Sequence, residues 1–212
     1  MGILKSGPFG PFRKKVGPAI GRRHMGQNLL LPLPHKSNQP ATAKQMVAQV
    51  KLGLLNSFLS HIDSLINIGF KRYLKHNSPV NAAFSYNYVH AFVKQDGQFR
   101  INYSKIVYSR GHIVTPEEPE LIPEPGKITF EWQRQQQSAY CQFTDLASFL
   151  VYFPSKNYGL IVLDQVNRFV QKYVVELPPD CSGETVHCYM NFRSADGKLN
   201  GDSCYVGAAL LP

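Results

Sequence analysis

From Lys127 to the C-terminus, apolar side chains recur at every second position. Ile128, Phe130 and Trp132 alternate with Thr129, Glu131 and Gln133. Phe149, Val151 and Phe153 lie in a denser apolar run, followed by Phe169, Tyr173, Val175 and Leu177. Val186, Cys188, Met190 and Phe192 form the next set, and Cys204, Val206, Ala208 and Leu210 close the chain. A two-residue period sends alternate side chains to opposite faces of a strand, which no helix can do. The pattern predicts antiparallel strands with these residues turned inward and the other face wet. Together they make a small β-sandwich over residues 127–212.

The middle of the chain has a different period. Val47, Val50, Leu54, Phe58, Ile62, Leu65 and Ile66 fall at three- and four-residue steps, and no proline interrupts Pro40 to Pro79. Thr42 and Gln45 have capping-box spacing. This predicts one long helix over 42–70, ending near Gly69. Ser78–Pro79 suits the cap and first position of a shorter helix, with Phe84, Tyr88, Ala91 and Phe92 on one face. Asp96–Gly97 turns the chain, and Phe99, Ile101 and Tyr103 alternate as a strand would. "TPEEPELIPEPG", Thr115 to Gly126, is acidic and holds four prolines, so it reads as a linker. The predicted class is α+β. Its parts are a basic Gly/Pro-rich arm over 1–40, a helical segment plus strand over 41–114, the linker over 115–126, and the sandwich.

The arm contains "GPFGPFRKKVGPAIGRRHMG". Met1 to His76 holds twelve Lys/Arg against one acid, Asp63, whereas Asn77 to Pro212 holds eleven against thirteen. The net charge of +9 therefore belongs to one segment. Such asymmetry suits a polyanion or an acidic protein surface. Val16 to Leu33 predicts two short strands around a turn at Met25–Gly26, the first weakened by Pro18. A segment with no core of its own takes up order by lying on a neighbour. The candidate contact residues are Phe9, Phe12, Arg13, Lys14, Lys15, Arg22 and Arg23. Two readings follow. In the first, a structural protein self-assembles, its arm meeting the acidic Glu117–Glu124 stretch of another copy. In the second, residues 5–36 bind nucleic acid without sequence preference, cations on phosphates and phenylalanines on bases.

Catalytic groupings are sparse. Cys141, Cys181, Cys188 and Cys204 include no CxxC pair and no zinc spacing. His61 and Asp63 lie two apart on a helix, hence on different faces. His187 and Cys188 are strand neighbours on opposite faces, and His112 follows a glycine turn. No nucleotide-binding, nucleophile-elbow or zinc-protease motif occurs. The expectation is a protein that is not an enzyme, with no cofactor, metal or small-molecule substrate. No signal-peptide pattern or membrane span is read, so synthesis in the cytoplasm with free, buried thiols is expected.

Two resemblances accompany this reading. Trp132 on an early strand and "ELPPDCSGETVHCYMNF" resemble an immunoglobulin or fibronectin type III sandwich, although alternation turns Tyr189 away from the side that holds Cys188. The segments "VGPAIGRRHMGQN", "TAKQMVAQVKLGL", "YSRGHI", "ITFEW" and "YMNFRSADGKLNGDSCYVGAAL" resemble an uncharacterised family of short basic proteins found mainly in Bacteroidota, a domain of unknown function. That resemblance implies an N-terminal arm, a helical middle and a C-terminal sandwich, and supplies no activity.

Overall fold

Glycine and proline punctuate the N-terminal stretch, and the structure uses them at turns. In the computed structural model, which describes residues 2–3, 13–24, 26–34, 39–71 and 78–212, this stretch is an antiparallel sheet. Its strands are β1 (Gly2–Ile3), β2 (Lys14–Val16), β3 (Ala19–His24) and β4 (Gln27–Pro32), in the order β1-β4-β3-β2. The expected pair is present as β3 and β4, with Gly26 at φ +79° in their turn. Pro18 is not in a strand. It follows Gly17 (φ +55°) in the turn between β2 and β3, where its missing N–H costs no ladder bond. The mutual pairing of these strands also corrects the expectation that the segment is ordered only by a neighbour. The chain divides into two compact units, Met1–Lys44 and Gln45–Pro212.

The helical period gives α1 (Ala43–Ser60), but not one helix to Gly69. The Ser57 carbonyl accepts from Ser60 Oγ at 2.9 Å and lies 2.6 Å from His61 Nδ1. The next amides reach back only three residues, His61 to Phe58 and Ile62 to Leu59, each at 3.2 Å. The backbone tightens there and restarts as α2 (Asp63–Gly69). α3 (Pro79–His90) begins as predicted, with the Ser78 side chain accepting from the Asn81 amide. β5 (Phe92–Gln95) and β6 (Gln98–Ile101) then form a hairpin about Asp96–Gly97. Tyr103 falls outside β6, in a single 3-10 turn.

The period-two stretches become β8 (Lys127–Gln133), β9 (Leu146–Phe153), β11 (Lys172–Glu176), β12 (Thr185–Arg193) and β13 (Cys204–Leu210), and two strands outside those stretches join them, β7 (Glu117–Glu124) and β10 (Tyr158–Asn167). They pair antiparallel as a three-stranded sheet, β11-β8-β7, and a four-stranded sheet, β10-β9-β12-β13. Ile128, Phe130 and Trp132 from the first share one core with Phe149, Val151, Phe153, Val186, Cys188, Met190 and Phe192 from the second.

The expected wet face is absent at the centre of the larger sheet. Leu150, Tyr152 and Tyr189 point away from the first core and pack with Leu55, Phe58, Leu59 and Ile62 in a second one. β9 and β12 are thus buried on both sides, and the helices form a third layer.

The acidic Thr115–Gly126 stretch is not a linker. It supplies β7, the edge of its sheet. Glu120, Ile122 and Glu124 stand opposite Glu131, Thr129 and Lys127 across the tight Pro125–Gly126 turn. That register makes 120, 122 and 124 the positions bonded to β8, so Pro123 turns its missing N–H off the open edge. Pro119 falls in the register shift between Glu117 and Glu120, where the ladder is already interrupted.

Three inward assignments also change. A bulge at Cys188/Tyr189 shifts the pairing of β13, so Ala209 and Leu211 enter the core while Ala208 and Leu210 are exposed. Phe169 lies in a 3-10 turn and is exposed.

One buried amide ties the helical layer to the chain that follows it. Val107 N donates to Asn87 Oδ1 at 2.8 Å, and Asn87 Nδ2 donates to Val107 O at 2.7 Å and to Ala83 O at 2.9 Å. Next to it, Tyr108 OH donates to Asn191 Oδ1 and Ser109 Oγ to Gly201 O.

Candidate functional site

Hairpin geometry decides where the predicted cations go. Lys14 stands opposite Gly21, Lys15 opposite Ile20, and Arg22 and Arg23 opposite Leu29 and Asn28. Cross-strand partners share a face, and neighbours along a strand do not. Lys15 and Arg22 are therefore diagonal neighbours on one face, and Lys14 and Arg23 on the other. Arg13 precedes β2 directly. All five are exposed, and among the described residues none of them forms an ion pair. The sequence named these cations as one set of contact residues. The sheet instead presents two basic pairs back to back, beside the open edge of β2. Phe9 and Phe12 lie outside the described residues.

Cation–aromatic contacts elsewhere escaped the sequence reading. Lys51 Nζ lies 5.6, 5.1 and 4.3 Å from the ring centres of Tyr88, Phe92 and Phe99. Arg134 sits over Phe143 and Phe169 at 4.8 and 5.5 Å. Each joins residues far apart in the chain, so no local spacing announces it. Arg168 is the most constrained cation. It is buried, 3.7 Å over Phe192, and paired with buried Asp145 at 3.4 Å. It also donates to Val114 O at 2.7 Å and to Gln135 Oε1. Burial pushes the Arg168 pKa down and the Asp145 pKa up, each opposed by the partner's charge. Arg168 clamps Val114, Gln135 and Asp145 together.

Among the described residues, the paired candidates of the sequence reading stay apart. His61 engages Ser57, whereas Asp63 accepts from Asn67 Nδ2 at 2.8 Å. His187 stacks on Tyr103 at 4.1 Å between ring centres, and its Nδ1 lies 2.9 Å from Tyr205 OH. Burial lowers its pKa. Cys188 lies in the sandwich core on the other face, its thiol pushed up to about 12 by burial. All four cysteines are free. Among the described residues, no three His, Cys, Asp or Glu side chains cluster as metal ligands. No described helix is long and apolar enough to cross a membrane.

Comparison with known families matches residues 11–207 to a family of unknown function (DUF6266). The chain belongs to that family. The DUF6266 match takes in parts of both compact units, with β2, β3 and β4 of the basic sheet inside it and β1 outside. Phe12, Arg13, Lys14, Lys15, Arg22 and Arg23 fall inside the match and Phe9 outside it. No curated protein matches the chain.

Proposed function

We propose that this protein is a non-enzymatic structural component that self-assembles, of the kind that builds virions, phage-like particles or filaments, with its basic N-terminal sheet as a contact surface. One observation carries the reading. Arg13, Lys14, Lys15, Arg22 and Arg23 are held exposed on or beside a small sheet with no carboxylate partner among the described residues, while acids concentrate on β7. Unpaired exposed cations add little to folding stability and are suited to meeting an external anion. The body is read as fibronectin type III-like. That reading is supported by the pairing of its first, second and fifth strands in one sheet and its third, fourth, sixth and seventh in the other.

The two-faced arrangement also favours a second reading, in which the sheet binds nucleic acid without sequence preference. Sedimentation velocity of the full chain, beside a variant with all five cations changed to serine, tests the first. Wild-type association that the variant loses supports it, and a wild-type monomer at high concentration sinks it. A salt titration with duplex DNA tests the second. A duplex on one face meets two or three of these cations, which gives a slope of log affinity on log salt of about −2 to −3. A flat dependence, or the same slope in the variant, removes nucleic acid as the ligand of this sheet.

A further inference from the structure

The first half of α1 has an apolar stripe that its own unit leaves uncovered. From Gln45 to Gly53 every residue is exposed except Lys51, which is half-buried. Met46 and Val50 are 52% and 50% exposed. With Val47, Leu54 and Phe99 they line a groove of about 550 Å³ between α1 and the β5–β6 hairpin. Two cations border it: Lys94 lines the groove, and Lys51 rests over the Phe99 ring. α1 has no acidic residue at all. A helix of this length draws its stability mainly from covering an apolar face, so this stripe calls for a partner.

The complementary surface is on the same chain. The four-stranded sheet has its outer face covered by helices, whereas the outer face of β7–β8–β11 is half-exposed along its two outer strands, with Thr129 buried at its centre. The registers align its rows as Glu120–Glu131–Lys172, Ile122–Thr129–Val174 and Glu124–Lys127–Glu176. Ile122 and Val174 are each 40% exposed. Half-exposed Ile122 and Val174, on either side of a buried Thr129, therefore run between two charged rows holding four glutamates and two lysines, in which Lys127 pairs with Glu124 and Lys172 with Glu131, leaving Glu120 and Glu176 as the net negative charge. Glu118, Glu120 and Glu131 also border a hollow of about 390 Å³ at one end of this face. The Ile122–Thr129–Val174 row matches the stripe on α1, and the net negative rows match the two lysines.

We propose that the α1 groove of one copy docks on the outer face of β7–β8–β11 of the next. The proposal rests on the assembly reading and deepens it by naming a surface pair. The two surfaces differ, so the contact is heterologous and propagates head to tail into a ring or an open filament.

Two full-length variants test it, Val50→Glu and Val174→Lys. Both positions are half-exposed, and circular dichroism checks that each variant folds. Each is expected to weaken association in sedimentation equilibrium by about 100-fold, as when a charge enters the centre of an apolar contact. Each retains one intact surface, so an equimolar mixture restores a one-to-one dimer that grows no further. Wild-type association in either variant overturns the proposal, as does a mixture that stays monomeric. Loss of thermal stability in Val50→Glu with unchanged association means that the chain's own N-terminal unit covers the groove, and also overturns it. The five-cation variant separates this proposal from the previous one. Association that survives it but not Val50→Glu refutes the basic sheet as the contact and keeps the groove. The converse result refutes the groove.

Discussion

Asn87 offers the sharpest quantitative test of the packing. Its amide is fully buried on α3 and spans the main chain of Val107 with two hydrogen bonds of 2.7 and 2.8 Å. Asn87→Ala removes both. The Ala83 carbonyl remains within the helix, so its loss of a third bond is minor. Val107 N–H and C=O are left without partners, each costing about 1–3 kcal/mol if desolvated. Val107 is only half-buried, and water reaching one group brings the sum to about 3 kcal/mol. In a unit of this size that lowers Tm by roughly 6–12 °C. Asn87→Asp keeps the acceptor for Val107 N but turns a carboxylate toward two carbonyls, so it is expected to be at least as damaging. Urea denaturation and thermal melts followed by circular dichroism read both effects. Native-state hydrogen exchange should show early loss of protection at Val107 and in the chain near Tyr108. A change below about 1 kcal/mol in Asn87→Ala would show that these bonds exchange with water at little cost, and would refute the reasoning.

Two further outcomes are expected. Asp145→Ala leaves the Arg168 charge buried and unpaired and is expected to cost about 3–5 kcal/mol, whereas Asp145→Ala with Arg168→Met costs less than the sum of the single changes; additive losses in a urea double-mutant cycle contradict the pair. Burial lowers the His187 pKa, so the unfolded chain binds the proton more readily. Stability from this group is complete above its unfolded value of about 6.5 and is lost as pH falls below it. Between pH 7 and 5, His187→Phe should lose less stability than wild type in urea titrations, and equal losses would dismiss the group as a contributor.

The sequence made the alternating strands, the Ser78 cap and the Asp96–Gly97 turn legible, because each is written in neighbouring residues. The break after Ser60 was not legible, since it depends on two side chains competing for one carbonyl. β7 was hidden by its prolines. Their harm depends on which edge their missing N–H faces, and only the register with β8 decides that. The buried outer side of β9 and β12 was equally hidden. A strand such as "SFLVYF" announces that it is apolar throughout but not that helices far upstream will cover it. For the basic segment, composition identified the cations, while the hairpin register split them between two faces. The apolar stripe of α1 was legible in sequence but its exposure was not, because periodicity reports a stripe and not whether anything lies on it.

Because β9 and β12 have neighbours on both sides, the strands of residues 117–212 are poorly suited to travel between genes as an independent bead. A module that is shuffled readily already has two wet outer faces. Here a strand-only copy would present Leu150, Tyr152 and Tyr189 to water, and the helices left behind would lose the floor they rest on. A recombination joint anywhere between α1 and β9 damages both products. The shortest stretch that keeps both cores whole is therefore Gln45–Pro212, and insertions within it are tolerated best at its loops.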